Sequence, residues 1–155
     1  MRWIVRIITH LIAASVGFAL GIYFLPILVA PKGPDLATLL EQSADAEFTA
    51  ELTRNLAGSD FLHWGEGTIS VSDTQLVHMG ALSPGPDYRA YLASTFVEDE
   101  AGFEAIKDAS VQIGMVNTFS GFILDIPDTV DVSDYTTVVI WCERFREFIT
   151  AGQYR

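Results

Sequence analysis

The chain contains one cysteine, Cys142, inside a run of β-forming residues from Thr136 to Phe145 (TTVVIWCERF). It cannot form an internal disulfide, so it is either a small buried apolar residue or a group kept for its chemistry. A thiol can change oxidation state, through sulfenic acid or a mixed disulfide. That requires access to solvent or partner and a lowered pKa. On an extended strand Cys142 shares a face with Val138 and Ile140. Arg144, two residues on, falls on that same face, where its charge would stabilise a thiolate, and Glu143 points the other way. Trp141 reads first as core and, in a redox site, as a supporting aromatic; Trp64 likewise reads as core rather than as an electron relay.

Other chemistry-bearing residues are scattered. His63 and His78 could ligate a metal or haem iron as a pair, yet no CxxCH, HxxxH or cysteine cluster accompanies them, so they read as ordinary surface or core histidines. Asp125, Asp128, Asp131 and Asp134 recur every three residues. They lack the glycine and terminal Glu of a calcium loop and read as a solvated acidic loop. There is no nucleophile elbow and no phosphate-cradling glycine loop. No cofactor and no metal site is evident from the sequence.

These residues must be held by something, and half of the 155 residues are hydrophobic, enough for one domain with a real core. The chain carries 9 Lys and Arg, of which Arg2 and Arg6 precede the first apolar run, against 20 Asp and Glu, so the part after Ala30 has a net charge of −13. Such a domain repels phosphate backbones, which argues against nucleic-acid binding and against lying flat on an anionic lipid surface.

From Ile7 to Ala30 the sequence has no Asp, Glu, Lys or Arg. About 20 apolar residues cross a bilayer as a helix, and Gly17, Gly21 and Pro26 are tolerated in lipid. The run exceeds the apolar core of a cleaved signal peptide, and Leu28-Val29-Ala30 is a poor cleavage site followed by Pro31. Residues 1–30 are therefore expected to be an uncleaved signal-anchor in contact with membrane lipid. The cationic flank places the N-terminus in the cytoplasm and the C-terminal domain outside it, periplasmic or extracellular. Gly17 and Gly21 form a GxxxG spacing, a candidate homodimer contact.

Residues 31–45 read as a linker with a short helix: Pro31-Lys-Gly-Pro34 breaks the anchor, Asp35 caps, and Leu36, Leu39 and Leu40 recur at helical spacing. From residue 46 onward the pattern is β. Strands are expected at Phe48–Leu52, Thr68–Val71, Gln75–Met79, Tyr88–Ala93, Val111–Val116, Phe119–Ile126 and Thr136–Phe145, the last apolar on both faces and therefore central and covered. Ser83-Pro-Gly-Pro-Asp87 is a turn, and Glu98 to Lys107 is an acidic loop or short helix. Seven or eight short strands without βαβ alternation predict an all-β, antiparallel sandwich or barrel over residues 46–155.

Three segments carry a family resemblance: Gly85-Pro-Asp-Tyr-Arg-Ala-Tyr-Leu92, then Ile113-Gly114, and above all Val138-Val-Ile-Trp-Cys-Glu-Arg-Phe145 with Phe148 and Ala151 after it. Together they resemble the electron-transfer DM-thirteen domain family, the Skeletor-type domain, over roughly residues 46–155. Phe61-Leu-His63 and Gly67 look like its opening strands. The chain departs from the family pattern at Phe122-Ile123-Leu124, where Gln-x-Tyr is frequent, and at Leu82, where an aromatic is frequent. The resemblance implies a β-sandwich and a redox or electron-transfer role resting on the cysteine at position 142. The tether confines the domain near the membrane, where a membrane or periplasmic redox protein is the expected partner. A non-catalytic binding or adhesion module is the alternative, because a sandwich does not fix a function.

Overall fold

The computed structural model describes residues 2–155. The first element, α1 (Arg2–Val29), is a single helix of 28 residues, longer than the roughly 20 that cross a bilayer core. It buries none of its residues in the rest of the chain. Thr9 and His10 both turn back onto the Arg6 carbonyl, so their polar groups are satisfied within the helix. Length and composition suit this helix to anchor the chain in a membrane. Beyond Pro31, Asp35 caps α2 (Leu36–Gln42) by accepting from the Thr38 N–H at 2.9 Å.

The domain is a sandwich of two antiparallel four-stranded sheets. The first holds β1 (Phe48–Leu52), β2 (Gly65–Val71), β3 (Gln75–Leu82) and, after two strands of the other sheet, β6 (Phe122–Asp125), in the order β1-β2-β3-β6. The second runs β5-β4-β7-β8, built from β4 (Tyr88–Ala93), β5 (Val111–Val116), β7 (Thr137–Cys142) and β8 (Glu147–Gln153). Between β4 and β5 lies α3 (Glu100–Ile106), capped by Asp99. Alternation explains the inner faces: Ile69, Val71, Leu76, Leu92, Val138, Ile140 and Ile149 point inward and form one core between the sheets.

A second apolar cluster covers the outer face of the second sheet. Tyr91, Val139, Trp141 and Phe148 meet Phe103 of α3 there, with Leu56 packed alongside. Every residue of β7 is buried for this reason. The doubly apolar Val138-Val-Ile-Trp141 run thus becomes an interior strand, flanked by β4 and β8.

Several expectations shift at their edges. The Thr136–Phe145 run ends as a strand at Cys142, because residues 143–146 form the tight turn into β8. β8 itself is the eighth strand, which periodicity alone did not delimit, since its central residues Phe148 to Gly152 are buried whichever face they point to. Residues Phe61 to His63 are not a strand; they lie in an irregular loop before β2, held by Asp60, whose carboxylate accepts from the N–H groups of Leu62 and His63. Phe119 to Gly121 precede β6 rather than belong to it, and Gly121 has φ +105°, a conformation that releases the chain from β pairing. Trp64 is half-buried rather than core, with the Arg54 guanidinium 3.3 Å from its ring centre.

Candidate functional site

Cys142 is the last residue of β7 and its side chain faces the inter-sheet core with Val138 and Ile140. It is 2% exposed. Its partner across the ladder in β4 is Tyr88, and in β8 Glu147. The Gly85-Pro-Asp-Tyr88 segment and the Ile140-Trp-Cys142 segment are therefore neighbours in space. The Glu143 N–H donates to the Asp87 carbonyl at 2.9 Å, joining the turn before β4 to the residue after the cysteine. Gly85 is demanded here: a Cβ on it would sit 2.3 Å from the Tyr88 ring. Tyr88 in turn shares a hydrogen bond of 3.3 Å with the Ser83 hydroxyl.

Burial pushes the Cys142 thiol above its ordinary pKa. The backbone N–H groups of Phe145, Arg144 and Asp87 pull it back in part, and the Asp87 charge adds to the rise. The sulfur is thus held as a neutral thiol at neutral pH. Arg144 does not take the place expected for it. The strand has ended, Arg144 stands in the turn with its side chain exposed, and what it offers the sulfur is its amide rather than its guanidinium.

Trp141 points to the opposite face, 1% exposed, with its indole N–H unpartnered. Its ring lies 5.1 Å from that of Phe103 and 5.8 Å from the Lys107 ammonium. Lys107 pairs with Glu143 at 2.7 Å, and Glu143 also accepts from the Tyr91 hydroxyl. Partial burial alone would raise the Glu143 carboxyl, but hydrogen bonds from Lys107 and Tyr91 hold it below the usual carboxylate range. Glu143 does point away from the cysteine face, although it stands in the turn, because Lys107 and Tyr91 hold its carboxylate on the outer side. This cluster escaped sequence reading because Lys107, Tyr91 and Glu143 are far apart in the chain.

Cys142 also lines a groove of about 840 Å³ between the domain and α1. Phe61, Leu62 and Phe145 of the domain and Tyr23 of the helix line it too. His63 borders the groove, its Nδ1 3.1 Å from the Asp60 carboxylate. His78 lies elsewhere, fully buried on β3 with Nε2 3.1 Å from the Glu66 carbonyl. Among the described residues no three His, Cys, Asp or Glu side chains gather as a metal site. Within the Asp125 to Asp134 stretch, Asp131 caps a single 3₁₀ turn.

An antiparallel sandwich carrying a lone buried cysteine at the end of its central strand, on a helix of membrane length, defines the class of molecule. The chain belongs to the electron-transfer DM13 family, which it matches over residues 55–154. No curated protein and no solved structure matches it. The match begins after β1, although β1 pairs with β2 along its whole length and completes the first sheet.

Proposed function

We propose that this is a membrane-anchored redox domain whose working group is Cys142, with the domain on the extracytoplasmic side. Family membership supports the electron-transfer role. The observation that carries the assignment to Cys142 is its position where the two family-like segments meet, lining the groove beside the anchor.

The chemistry we assign to Cys142 is exchange with a disulfide on a partner, which needs the sulfur exposed and deprotonated first. The sulfur gives its proton to solvent, attacks one sulfur of the partner disulfide and forms a mixed disulfide, and the other partner sulfur leaves as thiolate and takes up a proton from solvent. The raised pKa makes the resting thiol unreactive. The amides of Phe145 and Arg144 already point at the sulfur and would stabilise the thiolate. The cationic flank Arg2 and Arg6 supports the orientation.

The test is maleimide labelling of Cys142 in the native full chain, with and without a small disulfide oxidant, against the urea-unfolded chain. Mixed-disulfide formation in the native chain, abolished by Cys142→Ala, is the expected result. Labelling that appears only on unfolding, with no adduct, would remove the redox assignment. The 2% exposure of Cys142 favours a second reading, a non-catalytic binding module with the sulfur as filler, and that same outcome would support it.

A further inference from the structure

We infer that the pole of the sandwich carrying Cys142 docks into the outer leaflet of the membrane that α1 enters, with bilayer acyl chains filling the groove between helix and domain. The inference rests on the anchoring and orientation proposed above and is independent of the thiol chemistry.

Strand direction defines the two poles. Cys142, Tyr88, Val116 and Leu82 end or begin their strands at one pole, and the loops 53–64, 83–87, 117–121 and 143–146 close it. The anchor arrives at this pole: Val29, Ala30 and Pro31 lie against Gly85, Pro86 and Phe119. The same loops expose large apolar side chains, Phe61 at 89%, Leu62 at 45% and Phe145 at 48%. These three line one groove with Val16, Leu20 and Tyr23 of α1, so the exposed apolar rim is continuous with the helix surface that lipid must cover.

Charge separates the poles. At the Cys142 pole Arg89 pairs with Asp87, Arg54 with Glu66, Lys107 with Glu143 and Arg146 with Glu104, Asp60 accepts from His63, and Arg144 stands exposed in the turn. At the far pole Asp45, Glu47, Asp73, Asp125, Asp128, Asp131 and Asp134 face only Arg155. The acidic pole would be repelled from lipid headgroups and the near-neutral, apolar one would not. Arg144 precedes Phe145, so its exposed guanidinium can reach phosphates while the ring enters the acyl region.

The experiment uses the full chain in nanodiscs of phosphatidylcholine, one chain per disc, carrying Trp3→Phe and Trp64→Phe with either Phe61→Trp or Asp73→Trp. Lipids brominated near the headgroup end of the acyl chain quench a tryptophan by contact. Trp141, buried in the domain, reports folding through its blue-shifted emission. The expected result is several-fold stronger quenching for Phe61→Trp than for Asp73→Trp, lost when Leu62 and Phe145 are changed to Asp. Equal, weak quenching at both positions in a folded chain overturns the docking while leaving the anchor intact. A chain that stays out of the discs overturns anchor and docking together.

Discussion

The two sheets are alike in strand number and antiparallel pairing, yet they treat their outer faces differently. The first sheet turns Glu51 and Glu66 to solvent and carries only the short α2 over part of its surface, through the buried Leu39. The second is covered on both faces, by the first sheet on one side and by α3 on the other. Most polar groups that the first sheet points outward are solvated, as Glu51 and Glu66 are, and Ser70 is an exception at 3% exposure. A polar group on the second must find a partner or remain without one, as the Trp141 indole N–H does. Chemistry that depends on a controlled environment therefore belongs to the second sheet, and both Cys142 and the Tyr91–Glu143–Lys107 cluster are there.

The contrast can be broken most strongly at Trp141. Trp141→Ala empties the outer cluster and is expected to cost about 3–5 kcal/mol in urea denaturation. A cost below about 1 kcal/mol would mean that α3 does not seal the sheet. On the inner face, Cys142→Ser puts a hydroxyl among apolar side chains, with only the amides of Phe145, Arg144 and Asp87 to donate to it, at about 1–3 kcal/mol, and Cys142→Ala should cost less. A serine as stable as the wild type would show that water enters through the groove.

Titration separates the sheets as well. Burial lowers the His78 pKa, opposed in part by its bond to the Glu66 carbonyl. Its contribution to stability is therefore fully present above the unfolded value of about 6.5 and is lost as pH falls toward the lower folded value. Glu143 is lowered too, so its contribution is present above about 4.3 and lost as pH falls through its folded pKa. Denaturation curves should show His78→Gln removing the loss just below pH 6.5, and Glu143→Gln removing only a more acidic step.

Lys107→Met, which breaks a pair whose side chains are 29% and 27% exposed, is expected to cost about 1 kcal/mol. The smallest effect belongs to the open face of the first sheet. Glu51→Ala, losing an exposed bond from the Thr68 hydroxyl at 3.0 Å, should stay within about 0.5 kcal/mol by the same measurement.

Much of the fold was legible because its signals are local. Asp35 before a helical leucine spacing gave the α2 cap, and Tyr88–Ala93 and Val111–Val116 were read with their true bounds. The inward face shared by Val138, Ile140 and Cys142 follows from a period of two. The same rule misplaced Arg144, because alternation holds only while the strand continues, and a turn whose Arg146 adopts φ 57° had already begun. Phe61-Leu-His63 looked strand-like by composition, but the Asp60 carboxylate ties those backbone N–H groups into a loop.

Sequence alone determined a membrane-length apolar helix, an acidic β domain and a single cysteine on an apolar strand face, since each follows from composition or short-range periodicity. Only the tertiary structure decided that Tyr88 stands across from Cys142, that burial keeps the thiol neutral, and that Lys107 reaches Glu143. Those facts depend on which strands become neighbours and how far each is shielded from water. Contacts between residues tens of positions apart set both, and no local pattern encodes them.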